Sequence, residues 1–264
     1  MKNILIAMTL AAIMIGCGSG ATASSESTGS DASSGGAGVG GSMARFTISG
    51  DLLYTVNSRS LQAFDISIPS DPIIFTRTYS VPFDVETIFS YKDYLYLGAK
   101  TGLHVYSKPD NNGTDLVEVG VETHVRSYDP VVVSRDVAYV TLNSGRDNRG
   151  ANELQIYDVS KETPRLISTQ QRYLISPSGL GVDANKLFVC DGSEGLKIFD
   201  INQTENNETN LTSVKLNFDR ASSISSIRCY DVIPHNNLLI VSNGSNVRQF
   251  DYSAFPMVEF NNTK

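Results

Sequence analysis

The sequence predicts an all-β protein, a β-propeller with five blades of four antiparallel strands. Three observations predict it. First, a two-strand pattern recurs five times after residue 43, closing at 65, 107, 158, 200 and 251, with spacings of 42, 51, 42 and 51. A recurring period of this size marks a repeat architecture. Second, the apolar runs are about five residues long and separated by Gly, Asn, Asp or Ser, the pattern of strands joined by tight turns. Third, many runs are apolar at successive positions, as in Leu187-Phe188-Val189-Cys190. A half-buried sheet alternates, but a sheet covered on both faces need not. A propeller blade is covered on both faces by its neighbours.

In chain order, Met1-Lys2-Asn3 gives a positive start and Ile4 to Ile15 an apolar run, followed by Gly16 and Cys17. A bilayer-spanning helix needs roughly 20 apolar residues, so this run is too short, and its order of charge, apolar core and small residue fits a secretory signal over 1–16. The ending Met14-Ile15-Gly16-Cys17 resembles the lipobox of bacterial lipoproteins. That resemblance implies cleavage before Cys17 and lipid attachment to it. It also implies a cell-envelope location, and Gly18 after the cysteine implies the outer membrane, with the leaflet open. Loss of Lys2 takes the net charge from −7 to −8. The mature chain is therefore expected to be held to the membrane by its lipid and not by its overall charge.

The rest of the 17–42 segment is expected to be a tether. Apart from Glu26, Asp31 and Val39, residues 18–42 are only Gly, Ser, Ala and Thr, which cannot repay the entropy of ordering.

The propeller is expected over 43–264. Its paired strands are Leu52 to Val56 with Leu61 to Asp65, Tyr94 to Gly98 with Leu103 to Ser107, and Val137 to Thr141 with Leu154 to Asp158. Lys186 to Cys190 with Leu196 to Asp200, and Leu238 to Ser242 with Val247 to Asp251, complete the set. A further strand flanks each pair on either side, such as Ala44 to Ser49 and Ile73 to Tyr79 in the first unit. The chain starts with a first strand and ends with a last one near Met257 to Asn261. The ring join is therefore expected to rest on side-chain packing between blades one and five. Asp65, Asp158, Asp200 and Asp251 are expected to end third strands, each fixing a turn by accepting the backbone N–H two residues on.

The best copy of the unit, Leu187-Phe188-Val189-Cys190-Asp191-Gly192-Ser193-Glu194-Gly195-Leu196-Lys197-Ile198-Phe199-Asp200, resembles the LVIVD repeat of bacterial lipoproteins and surface proteins. The Gly-Leu turn recurs as Gly102-Leu103. The resemblance implies a propeller, secretion and frequent lipidation. It implies no catalytic residues.

An acidic chain with scattered Lys and Arg is a poor candidate for nucleic acid binding. No glycine-rich phosphate loop, zincin spacing or serine elbow is present, and no cofactor is expected. Loops between second and third strands share a face with the inter-blade connections. Charged residues gather there: His124, Arg126 and Asp129, then Arg146, Asp147 and Arg149, then Asp191 and Glu194. The insertion Ser144 to Gly150 is the longest inside a strand pair, and its two arginines suit a carboxylate or phosphate. His124 with Asp129 and Asp84 is too sparse for a metal site. His104 is expected to be a packed or edge histidine. Cys190 and Cys229 are an even pair in an oxidising compartment; they form either a disulfide or two separate buried thiols.

Two function classes stand. One is a non-enzymatic binding or assembly scaffold using a propeller face to contact an envelope protein or polar ligand. The other is an envelope hydrolase or metal-dependent enzyme with its site at the central channel.

Overall fold

Twenty strands form five four-stranded antiparallel sheets, each made of consecutive strands. The computed structural model describes residues 41–68, 70, 74–81, 84–109, 115–123, 130–144, 151–206 and 211–260. All fall in the second of two compact units, 33–264.

Blade one is β1 (Phe46–Ser49), β2 (Leu52–Val56), β3 (Ser60–Asp65) and β4 (Ile74–Ser80). Blade two is β5 (Val85–Tyr91), β6 (Tyr94–Ala99), β7 (Gly102–Ser107) and β8 (Val117–Thr123). Blade three is β9 (Val131–Ser134), β10 (Val137–Leu142), β11 (Glu153–Asp158) and β12 (Arg165–Gln170). Blade four is β13 (Leu180–Asp183), β14 (Lys186–Cys190), β15 (Leu196–Asn206) and β16 (Leu211–Phe218). Blade five is β17 (Asp231–His235), β18 (Leu238–Ser242), β19 (Val247–Asp251) and β20 (Val258–Glu259). First strands line the centre: β1 touches β5, β5 touches β9, β9 touches β13, and β13 touches β17.

The unbroken apolar runs have a direct cause. Successive side chains of a strand point to opposite faces, and here both faces meet a neighbouring blade. On β14, Leu187 and Val189 pack with Tyr139, Leu154 and Ile156 of blade three. Phe188 and Cys190, between them in sequence, pack with Leu239, Val241 and Phe250 of blade five. On β6, Leu95 and Leu97 join blade one while Tyr96 joins blade three.

Closing turns follow the expected chemistry at three of four aspartates. The backbone N–H groups of Ser67, Ser160 and Ser253 donate to Asp65, Asp158 and Asp251 at 2.8, 3.0 and 2.8 Å. Asp200 differs. It lies inside β15, which runs six residues further to Asn206, and it takes Lys186 Nζ at 2.8 Å. The fourth strand β16 has register partners along that whole extension, so the backbone has no reason to turn at Asp200.

Among the described residues, the ring join differs from the other blade boundaries. Four clusters of buried apolar side chains fill the boundaries between blades one and two, two and three, three and four, and four and five. None among the described residues spans blades five and one. Phe46, Ile48 and Leu53 on blade one, and Ile233, Leu238 and Ile240 on blade five, are all exposed or half-buried. A polar contact makes the described join. Ser42 Oγ donates to Asp231 Oδ1 at 3.1 Å and accepts from Leu180 N–H at 2.7 Å. Ser42 is 1% exposed. The same turn reaches the first two blades, because Ile88 N–H donates to Ala44 O and Val56 N–H to Arg45 O. Residues 41–45 thus cross the mouth of the centre and touch blades one, two, four and five.

Candidate functional site

The mouth face carries the inter-blade connections and the loops between second and third strands. Its best-described part covers blade four. The turn after β14 runs from Asp191 to Gly195, and the connection 219–230 lies over it. Leu196 and Ile224 exchange backbone hydrogen bonds at 2.8 and 2.9 Å, and Cys229 N–H donates to Gly192 O at 3.0 Å. The chains approach so closely that a Cβ on Gly195 would stand 2.0 Å from Ile224 O, and its φ of +90° also disfavours a side chain. Gly102, in the other Gly-Leu turn, meets the same limit: a Cβ there would stand 2.2 Å from Glu122 O. The repeated glycine is explained by this backbone approach.

Cys190 and Cys229 are joined by a disulfide, with Cα atoms 4.9 Å apart. Both are fully buried. Cys229 lies outside the first strand of blade five. It lies in the connection ahead of β17, because that connection folds back over blade four.

Asp191 is a correction. It stands on the expected face, but it is 0% exposed and cannot meet a partner. Its Oδ1 accepts from Ile175 N–H at 2.9 Å and Ser176 N–H at 2.6 Å, with Lys197 Nζ 3.8 Å from Oδ2. Burial holds its carboxyl above the usual range, against those two amides and Lys197. Asp191 therefore fastens the 171–179 connection to blade four, and Glu194 beside it is exposed. Asn143 Nδ2 donates to Ser176 Oγ at 3.1 Å and Pro177 O at 2.6 Å, tying blade three to the same connection. His124, Arg126, Asp129, Arg146, Asp147 and Arg149 lie outside the described residues, as does Cys17.

His104 is buried, as expected, and has a partner on each ring nitrogen. Thr101 Oγ1 is 3.0 Å from Nε2, and Glu118 Oε1 is 2.6 Å from Nδ1. This chain pins the β6–β7 turn to β8. It stands on the outer strands, away from the centre. Asp84 pairs with Lys100 at 3.1 Å, with Glu86 4.0 Å from the same ammonium. Among the described residues, no group of three or more His, Cys, Asp or Glu side chains is placed to hold a metal ion.

A half-buried carboxylate that sequence reasoning missed is Asp231. Besides Ser42 Oγ it accepts from Val232 N–H at 3.0 Å and from the N–H groups of Ser42 and Met43. Burial outweighs these donors and pushes its carboxyl up to about 6.

No family model and no curated protein matches this chain. Among solved structures, it resembles a chain of the crystal structure of the mitotic checkpoint complex, with a TM-score of 0.53 at 15% identity. The match covers 80% of this chain and 61% of that one, so the chain spans less than two thirds of its counterpart. At that identity the likeness is one of fold. The N-terminal domain of Nup159 is more distant, with a TM-score of 0.34 at 9% identity, over 76% of this chain and 71% of that one.

Proposed function

We propose that this protein is a lipid-anchored lipoprotein of the bacterial cell envelope, related to the LVIVD-repeat propellers, that works as a non-enzymatic binding scaffold through its mouth face. The observation that carries the reading is the way that face is built. Backbone bridges, a buried carboxylate and a disulfide hold the 171–179, 191–195 and 219–230 segments onto a rigid blade. Loops held on a rigid scaffold are where binding surfaces form. The disulfide also supports an oxidising compartment, in accord with the lipobox-like Met14-Ile15-Gly16-Cys17.

The anchor has a direct test. Cys17→Ala is expected to abolish incorporation of labelled fatty acid and move the protein out of the membrane fraction. Incorporation at the wild-type level would refute the anchor.

The partner surface is assigned to 143–152, 122–129 and Glu194. Its mixed charges suit a polar envelope partner, and rim charge pairs weaken with salt. Arg146→Glu with Arg149→Glu is expected to lose partner recovery from the native envelope. The melting temperature should hold, because exposed loop changes usually cost less than about 0.5 kcal/mol. Full recovery with an unchanged melt removes this loop from the site.

A further inference from the structure

Six asparagines of the chain stand in Asn-x-Ser/Thr sequences: Asn112, Asn202, Asn207, Asn210, Asn243 and Asn261. That triplet is the acceptor for N-glycosylation in secreted proteins. Five of the six also carry a carboxylic acid two residues ahead: Asp110, Asp200, Glu205, Glu208 and Glu259. Asp and Glu together make up 28 of the 264 residues, so composition alone would place an acid there in fewer than one of the six. Asp200 belongs to the repeated strand pattern, but the other four acids do not. The exception is Asn243, which follows Val241 at that distance. Asn112, Asn207, Asn210 and Asn261 lie outside the described residues. Asn202 and Asn243 are described, and their surroundings differ.

Asn202 stands on β15 beyond Asp200, at the end away from the mouth. Its register partner is Lys215, with Asp200 opposite Asn217 and Thr204 opposite Ser213. Alternate side chains of a strand share a face, so Asp200, Asn202 and Thr204 stand in line on one face of the hairpin. Asn202, Thr204, Ser213, Lys215 and Asn217 are exposed, and Asp200 is half-buried. On the opposite face Ile201, Val214 and Leu216 pack into the cluster between blades three and four. The outer face thus presents only polar side chains at these positions, with room for a bulky hydrophilic substituent. Asn243 instead is half-buried in a tight turn, where its Oδ1 accepts from Ser245 N–H at 2.9 Å and Asn246 N–H at 2.8 Å.

We infer that Asn202 is an N-glycosylation acceptor, read by an extracytoplasmic transferase that recognises the acid two residues ahead as well as the Thr two residues on. The inference rests on the cell-envelope reading. The donor is an oligosaccharide carried on a lipid pyrophosphate. The Asn202 amide nitrogen attacks C1 of the first sugar. The N–C1 bond forms, the C1–O bond to phosphate breaks, and the lipid pyrophosphate leaves with the bonding pair. The amide nitrogen gives one proton to a base of the transferase. The exported chain meets the transferase before β15 pairs with β16, so Asp200 then offers its carboxylate to a guanidinium or ammonium of the acceptor groove, a charge-assisted contact. After folding, the glycan stands on the polar face beside β16, the outer strand of blade four, where its bulk blocks edge-to-edge strand addition. It lies away from the mouth and leaves that face open to a partner.

Full-length protein purified from its native membranes is digested, and its peptides are read by mass spectrometry with fragmentation that assigns a glycan to a single asparagine. Asn202 is expected to carry a glycan and Asn243 to be bare. Asn202→Gln should remove that modification. Asp200→Asn should lower its occupancy about tenfold, the loss of one charge-assisted contact. Asp219→Asn removes the other carboxylate beside Lys186 and should leave occupancy unchanged. A bare Asn202 in protein that carries lipid at Cys17 and the Cys190–Cys229 disulfide overturns the glycosylation and leaves the envelope reading standing. Protein without lipid and with both cysteines reduced overturns the envelope reading, and the glycosylation falls with it. Full occupancy in Asp200→Asn, or a glycan on Asn243 as complete as that on Asn202, overturns recognition of the acid.

Discussion

Replacing Cys190 and Cys229 together by alanine is expected to lower the melting temperature by about 10–15 °C. The bond closes a loop of 39 residues, and chain-entropy arithmetic gives about 4 kcal/mol for a loop of that length. For a domain of this size each kcal/mol moves the melt by about 2–4 °C. Both cysteines are fully buried between blades four and five, so lost sulfur packing acts in the same direction. The denaturant m-value should rise, because the unfolded chain is no longer looped and exposes more surface. Burial makes a second expectation. Thiols should reduce the native protein only as fast as the domain opens, so cleavage by dithiothreitol should track unfolding and not thiol concentration. A melt shifted by less than about 2 °C would mean that the backbone bridges hold the 219–230 connection without the bond.

How much was legible in the sequence depends on the range of each interaction. The propeller was legible because its signal is local and repeated five times: a strand, a tight turn, a strand and an Asp-led exit. Asp65, Asp158 and Asp251 do what their spacing to Ser67, Ser160 and Ser253 suggests. Asp200 does not, because β16 pairs with the longer β15, and nothing near Asp200 encodes that. The glycines of the Gly-Leu turns could be counted, but their reason stands across space, at Glu122 O and Ile224 O. Asp191 looked like any charged loop residue. Only the path of 171–176 over it reveals a buried anchor. Ser42 was hidden most completely, inside a Gly/Ser-rich stretch and 189 residues from its partner Asp231. A polar pair so far apart leaves no periodicity and no hydrophobic trace.

That pair carries the second large effect. Asp231→Ala is expected to destabilise the protein by about 3 kcal/mol at pH 5, since it leaves the Ser42 hydroxyl and the turn's amides without their acceptor at a join where the described residues form no apolar cluster. The pH dependence has a definite sign. Burial first, against the backbone and Ser42 donors, raises the folded carboxyl to about 6, whereas an unfolded Asp titrates near 3.9. The folded state therefore holds the extra proton between those values. The group's contribution is complete below about pH 4 and is lost as pH rises through about 6. The swing is about 2 kcal/mol once partial exposure of the residue is discounted. About half of that swing is already lost at pH 5, so the alanine variant should accordingly cost about 2 kcal/mol at pH 7.5. Glu86 and Asp191 are also raised by burial, so they slope the same way. Asp158, Asp219 and Glu259, held below the usual range by hydrogen-bond partners, lose their contribution only at lower pH. Subtracting a variant isolates Asp231 from all of them. Asp231→Asn keeps the size and one acceptor oxygen but cannot ionise, so its stability should be flatter from pH 4.5 to 7.5 than that of the wild type. Urea midpoints for wild type, Asp231→Asn and Asp231→Ala across that range make the comparison. Parallel wild-type and Asn curves would remove the titration, and an Ala variant within about 0.5 kcal/mol of wild type at pH 5 would remove the join itself.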